Sequence, residues 1–139
     1  MIIQDVYLKD YDWDVRVYYV IDNDYIPDLL NDLIHLDCTD EAFFKVKNLV
    51  ESNSLNIGFT YSNIDKKASL LLIGAADSAD EFQDTFDHEK GHLAMHICRA
   101  LHIEPFSEDY QYLTGEIGKQ LFKEAKNFMC EHCRKYIIH

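Results

Sequence analysis

The sequence predicts an α+β domain: a small, twisted, mainly antiparallel sheet with helices packed on it. Three observations lead there. Two separate pairs of short segments alternate apolar and polar residues or run apolar throughout, the pattern of buried or half-buried strands. After each pair, apolar residues recur at helical spacing. The resulting order, β-β-α-α-β-β-α-α, sets strand pairs apart from helix pairs. A length of 139 residues fits one domain, 1–139, and is enough to bury a core without covalent staples.

The segments "MIIQDVYL" and "WDVRVYYVI" open the chain. In the second, Trp13, Val15, Val17 and Tyr19 share one face, and the polar connection between the two predicts a hairpin. "IPDLLNDLIHL" has a helical stripe of Ile26, Leu29, Leu30, Leu33 and Ile34, with Pro27 suited to a first turn. "TDEAFFKVKNLVES" is a second helix, with Thr39 as N-cap and Phe43, Val46, Leu49 and Val50 inward. "SLNIGFTYS" places Leu55, Ile57, Phe59 and Tyr61 on one face. "NIDKK" is turn-like, and "ASLLLIGAA" is an apolar run of strand length, so a second hairpin is expected. "SADE" at Ser78–Glu81 is a capping box that starts a helix running to Leu101. "EPF" breaks it. Ser107 caps the last helix, whose inner face is marked by Leu113, Ile117, Leu121 and Phe128. The chain thus divides into a sheet with two helices (1–76), two long helices (77–129) and a tail (130–139).

The formal net charge is −12. That argues against nucleic-acid binding through a basic surface and against docking on anionic lipid. Four cysteines, unevenly spaced, do not make a disulfide framework. The N-terminal residues lack a basic-then-apolar leader, and no apolar stretch approaches transmembrane length. The expectation is a cytoplasmic protein with reduced thiols.

One segment carries chemistry: His88-Glu89-Lys90-Gly91-His92. On a helix, His88 and His92 sit one turn apart on one face, where two imidazoles can reach one zinc ion. Glu89 points to an adjacent side, within reach of a water activated by that ion. The alternative is a solvated helix face. Catalytic zinc usually takes a third protein ligand. Among several candidates, Glu116 lies on the next helix between Leu113 and Ile117, flanked by Gly115 and Gly118, which suggests close helix approach. The alternative is a helix-surface contact. His96 is a further turn along, about 12 Å from His88 by helix rise, too far to share the ion, and so lines a cleft or serves structure.

This pattern resembles the zincin metallopeptidases of the gluzincin type, in a minimal single-domain form. That resemblance implies a small twisted sheet, an active-site helix and a following helix that supplies a glutamate. It also implies a Zn2+ cofactor held by His88, His92 and Glu116, with Glu89 as general base, and a peptide or protein substrate whose bond is hydrolysed. Many gluzincins carry an Asp four residues after the ligand Glu; here it is Gln120. Tyr110 and Tyr112 are the nearby candidates for stabilising a transition state. In zincins the strand before the active-site helix often lies at the sheet edge and captures an extended peptide; "ASLLLIGAA" holds that place, although an unbroken apolar run fits an interior strand. The alternatives are a non-catalytic zincin-like metal-binding module or an acidic protein-interaction module.

"CEHC" at residues 130–133 could be half of a zinc site, but no second Cys or His pair accompanies it, and a thioredoxin-like setting is absent. Cys98 is expected to be a buried small hydrophobe. The acidic runs lack calcium-loop spacing, and there is no phosphate loop or serine elbow.

Overall fold

A computed structural model describes residues 2–21, 23–52 and 58–138. The first hairpin forms as the alternation predicts. β1 (Ile2–Leu8) and β2 (Trp13–Tyr19) pair antiparallel through a 3-10 turn at Lys9–Tyr11. Two helices follow, α1 (Ile26–His35) and α2 (Asp40–Glu51). Pro27 sits in the first turn of α1. The Thr39 hydroxyl accepts the Ala42 N–H to cap α2. β3 (Gly58–Asn63) and β4 (Ala68–Ile73) make the second antiparallel hairpin. Of the face expected for β3, Leu55 and Ile57 lie outside the described residues, while Phe59 is buried and Tyr61 half-buried.

The sheet order is β1-β2-β4-β3. β2 and β4 run parallel, so the sheet is mixed, while its other two pairings are antiparallel, in keeping with a mainly antiparallel sheet. The parallel pair follows from the connection. α1 and α2 lie between the two hairpins in sequence and deliver the chain to β3, which runs opposite to β2; the β3–β4 turn then brings the chain back beside β2 and in its direction. Insertion beside β2 makes β4 an interior strand, in keeping with its apolar run. The edge strands are β1 and β3.

Both faces of the sheet are covered. Trp13, Val15, Val17 and Tyr19 of β2 join Leu71 and Ile73 of β4 in a core closed by α3 (Ala79–Leu101) and α4 (Glu108–Ala125). Tyr18, Phe59, Leu70 and Leu72 face the other way, onto Leu29 and Leu33 of α1 and Val46 and Val50 of α2. Ile34 was expected in the α1 stripe but is 56% exposed. α3 lies over β3 and β4, and α4 over β1. Ser78 and Ser107 cap them through the Glu81 and Tyr110 N–H groups.

The last helix is shorter than its pattern suggests. α4 ends at Ala125, and a 3-10 turn at Lys126–Phe128 brings Phe128 into the core against Tyr19 and Phe82. The expected tail then forms a helix of its own, α5 (Glu131–Ile138). Arg134 fastens it by donating to the Ala76 and Asp77 carbonyls, and Glu131 accepts the Ala79 N–H. No helix among the described residues is long and apolar enough to cross a membrane.

Candidate functional site

α3 places His88 and His92 on an exposed face, one turn apart. Their Nε2 atoms are 3.2 Å from each other, with ring centroids 4.8 Å apart. Two uses of that distance are open to imidazoles. One ring can donate its N–H to the other, or both neutral nitrogens can face a shared cation. Zn–N bonds of about 2.0–2.1 Å at a tetrahedral angle require an N···N edge of about 3.3–3.4 Å. The spacing of the pair is therefore close to that of two corners of a zinc site.

Glu89 is next along the helix and turns inward. It is only 6% exposed. The Thr60 hydroxyl donates to its Oε1 at 2.9 Å. Gly58 lies against its other oxygen: a Cβ there would stand 2.4 Å from Oε2 and 2.9 Å from Cγ and Cδ. The missing side chain is what lets a carboxylate fit beneath the edge strand. A glycine inside a strand often marks such close approach, and that was the sequence signal for Gly58.

β3 continues the polar seam. Gly58, Thr60 and Ser62 alternate with Phe59 and Tyr61, so the small polar residues share one face. Ser62 Oγ lies 2.7 Å from His96 Nδ1 and 2.6 Å from Ser69 Oγ, which accepts the Trp13 indole N–H at 2.8 Å. Trp13 can only donate, so Ser69 accepts at the buried end, and its second lone pair leaves it able to donate to or accept from Ser62. A neutral His96 ring can accept from Ser62 at Nδ1, whereas a charged ring must donate there. Burial above all, then His92 and Arg99, lowers the His96 pKa and so favours the neutral ring. No motif points to Trp13, Ser62 or Ser69; the one hint was a serine inside the apolar run of β4.

A pH dependence follows. A histidine whose folded pKa is depressed resists protonation in the folded chain, while the unfolded chain accepts the proton near pH 6.5. Its contribution is intact above that value and is lost as pH falls toward the lowered folded pKa. Urea midpoints at pH 7.5 and pH 5 should therefore differ more for the wild type than for His96→Asn. Equal differences in the two proteins would rule out His96 as a source of acid sensitivity.

Glu116 is not brought to the histidine pair. Gln120 Nε2 donates to its Oε1 at 2.8 Å, and its charge is felt by Tyr11 in the first hairpin turn. Helix geometry explains the separation. Lys90 of α3 faces α4, its Nζ 3.7 Å from where a Cβ on Gly118 would lie. His88 is two residues from Lys90 and so about 200° around the helix. Gly115 faces open space, so close helix approach does not account for it. Tyr112 is 68% exposed, and Tyr110 packs at the margin of the core. Among the described residues, no set of three His, Cys, Asp or Glu side chains converges to hold a metal ion.

Two cavities are lined by neither His88 nor His92. One, of about 480 Å³, is lined by residues including Asp5, Arg16, Asp32 and His35. There Arg16 pairs with Asp5 at 2.7 Å and with Asp32 at 3.0 Å. The other, of about 750 Å³, lies at the α3–α4 connection beside Met95, Arg99 and Phe106. Cys98 is buried, as expected, and all four cysteines are free thiols. Set against family models, curated proteins and solved structures, the chain matches none, and what it does must be inferred from its own residues.

Proposed function

We propose that His88 and His92 hold a zinc ion and that the chain is a small zincin-like metallopeptidase, with Glu89 as general base. The observation that carries this is the 3.2 Å between the two Nε2 atoms, which suits a shared ion. A bound zinc ion would supply Lewis-acid polarisation of a carbonyl and a lowered pKa for water. The chain's own groups do the rest. His88 and His92 orient the site from one rigid helix face. Glu89, fixed by Thr60 and Gly58, is the adjacent carboxylate that can take and return a proton. β3, an edge strand beside α3, offers backbone N–H and C=O groups to an extended peptide.

The pair supplies two of the four positions of a tetrahedral site, so the third ligand is part of the test. Zinc content is measured on protein purified without a histidine tag, for the wild type, His88→Ala/His92→Ala and Glu116→Ala. Near-stoichiometric zinc is expected in the wild type and none in the double variant. Glu116→Ala is expected to weaken zinc affinity less than loss of either histidine. No zinc in the wild type, and no uptake on titration, would overturn the metal site.

The enclosure of Glu89 favours a second function for the same site: a metal-binding module without hydrolysis. A carboxylate 6% exposed and already bonded to Thr60 serves to seat α3 on β3. Zinc would then shape an acidic surface for a protein partner.

A further inference from the structure

The Cys130-Glu131-His132-Cys133 turn lies outside the histidine site and plays no part in the proposed hydrolysis. Cys130 occupies the N-cap of α5, because its carbonyl accepts the Arg134 N–H at 2.9 Å. In that position a side-chain acceptor meets the N–H groups two and three residues on. The capping position of Cys130 puts its Sγ on the side of the free N–H groups of the first turn, those of His132 and Cys133. Both cysteines are exposed. Residues three apart on a helical turn are about 5–6 Å apart, inside the Cα span of about 4.4–6.8 Å that a disulfide accepts. The turn is also held in place. Glu131 accepts the Ala79 N–H, and Arg134 donates to the Ala76 and Asp77 carbonyls.

We propose that Cys130 and Cys133 form a redox-active dithiol that reacts with low-molecular-weight disulfides, Cys130 as the attacking sulfur and Cys133 as the resolving one. The two sulfurs are unequal in the way this needs. The hydrogen bonds from Cys133 and His132 stabilise a Cys130 thiolate and lower its pKa, while donating to Cys130 raises that of Cys133. Thiolate at a helix N-terminus is the reactive form. The Cys130 thiolate attacks one sulfur of R–S–S–R, forming a mixed disulfide and releasing one thiolate. Cys133 gives its proton to solvent and attacks Cys130 Sγ, releasing the second. In sum, two protein thiols are oxidised to one disulfide, and the small disulfide, taking two electrons, is reduced to two thiols. The reverse steps, driven by excess small thiol, restore the dithiol.

The test uses reduced full-length protein and oxidised glutathione, followed by intact mass and by mapping of alkylated peptides. The wild type is expected to lose the mass of two hydrogen atoms, with Cys130 and Cys133 protected from alkylation and Cys38 and Cys98 unchanged. Cys133→Ser should stop at a glutathione adduct on Cys130. Cys130→Ser, in which serine still caps α5, should form adducts on Cys133 far more slowly. If both thiols of the wild type stay open to alkylation, or react only to link two chains, the dithiol assignment is wrong. It is equally wrong if Cys130→Ser forms its adduct as fast as Cys133→Ser.

Discussion

Glu89→Gln is expected to leave zinc binding intact and to lower peptide hydrolysis by a factor of about 10²–10⁴, the range a positioned general base supplies. Glutamine has nearly the shape of glutamate. Its carbonyl can still accept the Thr60 hydroxyl that now meets Oε1, so α3 should stay seated on β3. What disappears is a group able to accept a proton. The measurement is cleavage of a mixture of unstructured peptides by zinc-loaded wild type and variant, read by mass spectrometry, with zinc content taken on the same samples. Equal cleavage by the two proteins would remove Glu89 from the chemistry. Full zinc occupancy with no cleavage by either would decide for the non-catalytic module.

Phe128→Ala should destabilise the chain by about 3–5 kcal/mol, as loss of a fully buried aromatic ring does. For a domain of this length that is a fall in Tm of roughly 10–15 °C. Phe128 is 0% exposed. It stacks on Phe82 at 4.9 Å and on Tyr19 at 5.4 Å, and Phe82 stacks in turn on Phe86. One ring from the turn between α4 and α5 thus joins the sheet to the start of α3. Phe106 is the control: 99% exposed, its replacement by alanine should change stability by no more than about 0.5 kcal/mol. Similar small losses for both would mean that the aromatic stack contributes little.

Local pattern was legible. The alternation of Trp13, Val15, Val17 and Tyr19 gave β2 and its buried face. Thr39, Ser78 and Ser107 gave three helix starts, and Leu113, Ile117 and Leu121 the inner face of α4. Long-range geometry was not. The unbroken apolar run of β4 fits an interior strand, but no local signal names β2 as its neighbour or sets the two parallel. Ile34 fits the helical stripe of α1 but stays exposed, while Leu29 and Leu33 take the buried face. Phe128 continues the α4 stripe in sequence, yet it reaches the core from a 3-10 turn, and α5 after it is too short for periodicity to stand out. Within the site, spacing correctly placed His88 beside His92. Spacing could not show which side α4 turns toward α3, and it is Gly118, not Glu116, that lies near Lys90. The polar seam of Gly58, Thr60 and Ser62 was hidden for a related reason: small polar residues on one face of a strand acquire meaning only when a helix lies over them.

The hydrogen-bonded chain from Trp13 through Ser69 and Ser62 to His96 has an optical consequence. Trp13 is the only tryptophan in the chain, and its indole is wholly buried with its N–H on Ser69. Indole emission responds to hydrogen bonding at that nitrogen. Protonation of His96 makes Nδ1 a donor to Ser62, whose hydroxyl lies one hydrogen bond from the Ser69 oxygen that holds the indole N–H. The protein therefore carries a built-in emitter wired to the histidine face of α3, and no external label is needed to follow what happens there.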